Sequence, residues 1–217
     1  MFEILIVVLI LFLIVLFYNY LVDTDSDIKC CIFLTMYVKN NVELYEKRVK
    51  RWLDETDFDI FIVDSSGVGI KQTNERLKQY VFTQNSNFER VSVSVSEKNS
   101  ILNAIEYFND DFLEYDIIFK ITGKYFIPNF DYVITTIPND TDIIFQNLQI
   151  THGQNTELIG FRPDLIKDII LNISHEKSFE NVMREVQYNN EFTKYRLQPL
   201  ILDEYAKRSD GSTLVYL

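Results

Sequence analysis

The chain opens on a run in which almost every position is apolar: residues 2–22 read FEILIVVLILFLIVLFYNYLV, with Glu3 and Asn19 as its main interruptions. A run of that length can cross a bilayer as one helix, and it lacks the basic start and small-residue end of a cleaved signal peptide. The pattern predicts an uncleaved transmembrane anchor over 1–22, a short acidic stalk over 23–28 and an α/β domain over 29–217. No Lys or Arg precedes the run, and only Lys29 and Lys39 follow closely. The expectation is therefore a single-pass membrane protein whose side of the membrane is unassigned.

Beyond the stalk the pattern turns periodic. Residues 29–37 (KCCIFLTMY) form a continuous apolar run, as in a strand covered on both faces. Asn41 can cap a helix that places Val42, Tyr45, Val49, Trp52 and Leu53 on one face. Strands are predicted over 58–63, 91–95, 116–121 and 142–148, with a closing strand over 196–202. Helices are predicted over 73–82, after a cap at Asn99 or Ser100, from Pro163, and from a cap at Ser178. This alternation implies a three-layer α/β domain with a mainly parallel sheet. Ligands of such sheets bind beyond the carboxyl ends of the strands, which nominates 35–37, 64–69, 97–99 and 122–125 for a common rim.

Composition narrows the chemistry. The chain has 217 residues, 47% hydrophobic, with 32 acidic against 21 basic side chains and a net charge of -11. It is neither a disordered tail nor a basic nucleic-acid binder, so no nucleic-acid partner is expected. Cys30 and Cys31 are adjacent and face opposite sides of a strand, which disfavours a bridge, and with His152 and His175 they make no zinc-ligand spacing.

The rim offers one acid, Asp64, and the cations Lys98, Lys120 and Lys124. If the strand persists through Gly123, Lys120, Thr122 and Lys124 share a face, and two ammonium groups flanking a hydroxyl outline an anion site fit for a diphosphate. The plainer alternative is a pair of solvated lysines at a strand end. A lysine inside the otherwise buried DIIFKI run asks for an explanation.

The order of elements, together with 116–126 (DIIFKITGKYF), 157–162 (ELIGFR) and 197–200 (LQPL), resembles small GT-A-fold glycosyltransferases. The resemblance implies a GT-A-like fold (nucleotide-diphospho-sugar transferase-like), a nucleotide-sugar donor and a glycan, lipid or protein acceptor. It puts Thr35 near the nucleotide, Asp64 on base or ribose, and Lys98 at the start of the following helix. Where metal-dependent members carry Asp-x-Asp, this chain has Thr122-Gly123-Lys124, which supplies no carboxylate pair for Mn²⁺ or Mg²⁺. The Asp-x-Asp strings at 23–27, 57–59 and 140–142 lie at the wrong strand ends. The expectation is sugar transfer that requires no cofactor, with Lys120 and Lys124 in place of the cation; Mn²⁺ or Mg²⁺ remains an alternative. Glu180 or Glu157 would take the acceptor proton, and His152, beside Gly153, would contact substrate. A non-catalytic, membrane-anchored binding protein on the same fold is the competing reading.

Overall fold

The chain is described by a computed structural model over residues 28–84, 92–146, 155–207 and 213–216. β1 (Cys30–Met36) is buried at all its positions, as the double-sided apolar run predicts. Burial pushes the Cys30 thiol up to about 12 and the Cys31 thiol well above its ordinary value, so neither is a ready nucleophile. A 3-10 turn at Val38–Asn40 leads to α1 (Val42–Glu55), where the Asn41 side chain accepts a capping hydrogen bond from Leu44 N–H. β2 (Asp59–Asp64) and β3 (Leu77–Val81) follow, then α2 (Val93–Tyr107), the short α3 (Asn109–Phe112) and β4 (Ile117–Thr122). The second half contains α4 (Phe130–Ile134), β5 (Ile143–Phe145), β6 (Leu158–Phe161), α5 (Pro163–Leu171), α6 (Phe179–Tyr188) and β7 (Lys194–Arg196). β8 (Ile201–Lys207) pairs with β9 (Thr213–Tyr216) in a separate antiparallel hairpin.

The main sheet has the order β3-β2-β1-β4-β6-β5-β7. β1 runs parallel to β2 and β4, and β2 to β3, whereas β6 is antiparallel to both its neighbours. The sheet is therefore mainly parallel, as expected, and β6 is the strand of it that runs the other way and makes it mixed. Strand alternation sorts the core into two layers. Ile32, Leu34, Ile60, Ile62, Phe119 and Ile121 pack with Trp52, Phe126 and Phe130, while Cys31, Phe33, Phe61, Val63 and Ile118 pack with residues of α2, α5 and α6.

Three expectations are corrected. The predicted helix over 73–82 is loop followed by β3, because the spacing of Leu77 and Val81 suits a strand as well as a helix. Of the predicted strand over 91–95, residue 91 lies outside the described residues and the rest is the start of α2: Ser92, not Asn99 or Ser100, is its cap and accepts from Val95 N–H, and Val93 is 82% exposed. The expected anchor, membrane partner and single-pass localisation find no support: no helix among the described residues is long and apolar enough to cross a membrane, and residues 1–27 lie outside them.

The carboxyl end of β2 is organised around Asp64, which is 0% exposed. Its carboxylate accepts from the N–H groups of Val38 (3.0 Å), Ser66 (3.0 Å), Val68 (3.2 Å) and Gly69 (2.8 Å) and from the Ser66 hydroxyl (2.8 Å). Gly67 and Gly69 have φ of 78° and 69°, a backbone that L side chains rarely adopt, and this lets the loop fold back over the carboxylate. Asp64→Ala orphans several of these donors at once and should lower unfolding stability by about 3 kcal/mol or more, read by urea denaturation. A loss below about 1 kcal/mol would show that the loop does not depend on the carboxylate.

Candidate active-site cleft

An open cleft of about 630 Å³ lies at the carboxyl ends of the parallel strands. Thr35 and Met36 line it from β1 and Tyr37 from the residue that follows, Ser65 from just past the end of β2, and Thr122, Lys124 and Tyr125 from the end of β4 and the turn after it. Tyr45 of α1 contributes from one layer, and Ser96, Glu97 and Ser100 of α2 from the other. Asn155, Thr156 and Glu157, which lead into β6, and Glu180 of α6 close the far side. Sheet order grades this lining: Ser65, Thr35, Tyr37 and Tyr45 beside β2 and β1, Lys124 with Thr122 and Tyr125 at β4, and the Glu157 and Glu180 carboxylates with Thr156 beside β6.

Most of the nominated rim is thus brought together, but the roles separate. Thr35, Thr122, Lys124, Glu157 and Glu180 all line the cleft. Asp64 does not reach it: both its oxygens are engaged in the loop described above. Lys98 belongs to the second turn of α2 and donates to the carbonyls of Leu171 (2.8 Å) and Ile173 (2.7 Å), closing the carboxyl end of α5. Lys120 is 1% exposed; its ammonium donates to the Thr156 carbonyl (2.6 Å), pairs with Glu97 and lies 5.3 Å from the centre of the Phe179 ring. The expectation that Lys120 and Lys124 together replace a cation therefore fails, because Lys120 lies beneath the cleft with its charge already met. His152 lies outside the described residues.

The turn that carries Lys124 is tightly held. Gly123 N–H donates to the Thr35 carbonyl (2.9 Å) and Tyr125 N–H to that of Thr122 (3.0 Å). A Cβ on Gly123 would come within 2.4 Å of Met36 Cγ, so the close approach of this turn to β1 requires glycine. Opposite, the Thr122 N–H donates to the Glu157 carbonyl (2.8 Å), Gln146 Nε2 donates to the Glu157 carboxylate (3.3 Å), and the Thr156 hydroxyl donates to Glu180 (3.4 Å).

The residues present do not make a ready divalent site. Among the described residues no group of three or more His, Cys, Asp or Glu side chains could hold a metal ion. The downstream Asp-x-Asp strings serve the fold: Asp59 accepts from the Tyr115 hydroxyl (2.6 Å), and Asp142 pairs with Arg162 (3.1 Å) and accepts from Thr193 N–H (2.8 Å). Sequence reasoning placed Glu97 on the rim within 97–99 but gave it no role, and it missed Ser96 and Ser100, whose spacing with Glu97 over 96–100 would have shown a common face had α2 been started at Ser92. It also missed Arg48, a charged residue on the apolar face of α1.

No family model matches the chain, and no curated protein does. Similar solved structures include a protein of Desulfovibrio desulfuricans G20 assigned as a nucleotide-diphospho-sugar transferase (TM-score 0.48, 17% identity, 77% of this chain and 79% of that one). A cytidylyltransferase from Leptospira borgpetersenii gives a TM-score of 0.49 at 12% identity over 78% of this chain and 75% of its own. A glycosyltransferase involved in glycosylation of the major capsid of PBCV-1 gives 0.47 at 10% identity over 77% and 81%. At these values the likeness is one of fold and carries no conclusion about chemistry.

The Lys120–Glu97 pair supplies a direct test of the cleft floor. Lys120→Met leaves Glu97 uncompensated beside an apolar ring and should cost about 3 kcal/mol, whereas Lys120→Met with Glu97→Gln should recover most of that loss. Additive losses in a denaturation double-mutant cycle would contradict the pairing.

Proposed function

We propose that this chain is a glycosyltransferase-type enzyme that takes a nucleoside-diphosphate sugar as donor. The observation that carries the proposal is the graded cleft at the carboxyl ends of β2, β1 and β4, where such sheets bind ligands. The nucleoside occupies the side of Tyr37, Tyr45, Thr35 and Ser65, with the 46%-exposed Tyr37 ring offering a face to the base. The diphosphate lies at Thr122 and Lys124, the one basic side chain lining the cleft among the described residues. The sugar then points toward Glu157 and Glu180.

Chemistry follows from that order. Lys124 meets the charge that grows on the departing diphosphate as the bond between sugar and phosphate oxygen breaks. The acceptor hydroxyl forms the new bond to the sugar and passes its proton to Glu157, whose backbone is tied to Thr122 beside the diphosphate. Glu180, on the same side of the cleft, accepts hydrogen bonds from acceptor hydroxyls.

One observation favours the competing, non-catalytic reading: with Glu97 paired to Lys120, the carboxylates of Glu157 and Glu180 still share the lining with a single lysine, which weakens the field that draws in a diphosphate. Nucleotide binding and turnover separate the two. A panel of nucleoside diphosphates should raise the melting temperature of the wild type, and Lys124→Ala should reduce the shift. Glu157→Gln should retain binding and lose turnover of sugar nucleotides, followed by mass spectrometry, by about 100-fold or more. Binding without turnover in the wild type supports the non-catalytic protein; no binding by any nucleotide overturns the donor site.

A further inference from the structure

Arg48 is 3% exposed although it carries a permanent charge. It sits on the face of α1 that also holds Tyr45, Val49 and Trp52, and its Nε donates to the Lys124 carbonyl (3.1 Å). One turn on, the indole Nε1 of the fully buried Trp52 donates to the Tyr125 carbonyl (3.1 Å). Two side chains four residues apart on one helix thus take two consecutive carbonyls of the turn that follows β4. The same turn is held from its other side by the bond from Gly123 N–H to the Thr35 carbonyl.

A helix face that grips consecutive carbonyls does more than fill the core. Leu or Met at position 48 would satisfy packing, whereas a buried guanidinium carries a desolvation cost that only specific acceptors offset. The clamp acts on the residue whose side chain is the sole basic group lining the cleft among the described residues.

We infer that Arg48 is a positioning residue for the donor's diphosphate: with Trp52 it fixes the 122–125 turn so that Lys124 and Thr122 are presented to the phosphate groups. This rests on the reading of the cleft as a donor site. Arg48 does not itself line the cleft, so its contribution is exerted through Lys124. Loss of the clamp frees the turn and spreads the Lys124 ammonium over positions that no longer match the phosphates, while the nucleoside side, built from the ends of β1 and β2 and from Tyr45, whose helix keeps its other core contacts, is left as it was.

Isothermal titration of the wild type, Arg48→Gln and Arg48→Lys tests this. The probes are UDP, GDP and CDP, each compared with its own nucleoside, uridine, guanosine or cytidine. For whichever base the wild type binds, Arg48→Gln should weaken the diphosphate about tenfold or more and leave the nucleoside within about twofold. Arg48→Lys, which keeps the charge but not the fixed geometry of the guanidinium, should fall between the two. Equal weakening of diphosphate and nucleoside, or no weakening, overturns the positioning role. Should Arg48→Gln not fold, Trp52→Phe removes the neighbouring clamp and carries the same comparison. Failure of the wild type to bind any of the six probes overturns the donor site itself, and the role of Arg48 with it.

Discussion

The arrangement of this domain depends on a buried carboxylate that has no cationic partner among the described residues. Asp64 ends a strand whose last five positions are buried, and in a protein interior an uncompensated charge is among the costliest groups to hold. The solution here is four backbone N–H groups and one hydroxyl converging on its two oxygens. Val38 brings in the segment after β1, and Ser66, Val68 and Gly69 bring in the loop after β2. Two loops that would otherwise move independently are thus tied to one point, and Tyr37 and Ser65, the residues flanking that point, are the ones that enter the cleft.

A similar economy governs the charges around the cleft. Lys120 on β4 meets Glu97 on α2 and the Thr156 carbonyl before β6, so one ammonium joins three segments beneath the cleft. It neutralises a carboxylate that would otherwise add to Glu157 and Glu180. Arg48 and Trp52 do for the 122–125 turn what Asp64 does for the loops after β1 and β2, satisfying backbone groups that no strand or helix ladder pairs so that a short irregular segment keeps one shape. The proposed diphosphate site in this acidic chain depends on where one cation, Lys124, stands, because a charge near the ligand outweighs the net charge at a distance.

Much of this was legible in the amino-acid pattern where the physical signal is local. Continuous apolar runs marked β1, β2 and β4, and Asn41, Pro163 and Ser178 marked helix starts that the structure contains. The alternating Val and Ser of 91–95 misled because alternation reports a strand only if one face becomes buried, and here Val93 faces outward while Ser92 serves as a cap. The reversal of β6 could not be read, since a four-residue buried strand looks the same in either direction. At the site, Thr35, Thr122 and Lys124 were legible from strand ends alone. The function of Lys120 was not, because it turns on Glu97, 23 positions away and on another element. Arg48 was hidden by the same kind of distance: its partner, the Lys124 carbonyl, belongs to a turn 76 residues later.

The most direct measurement of the central claim is a crystal structure of the chain with the nucleoside diphosphate that stabilises it most. The account predicts the base beside Tyr37 and a phosphate oxygen within about 3.2 Å of Lys124 Nζ, with the terminal phosphate directed toward Glu157. A nucleotide bound outside this cleft, or one whose phosphates lie away from Lys124 with its base against the carboxylates, would contradict it.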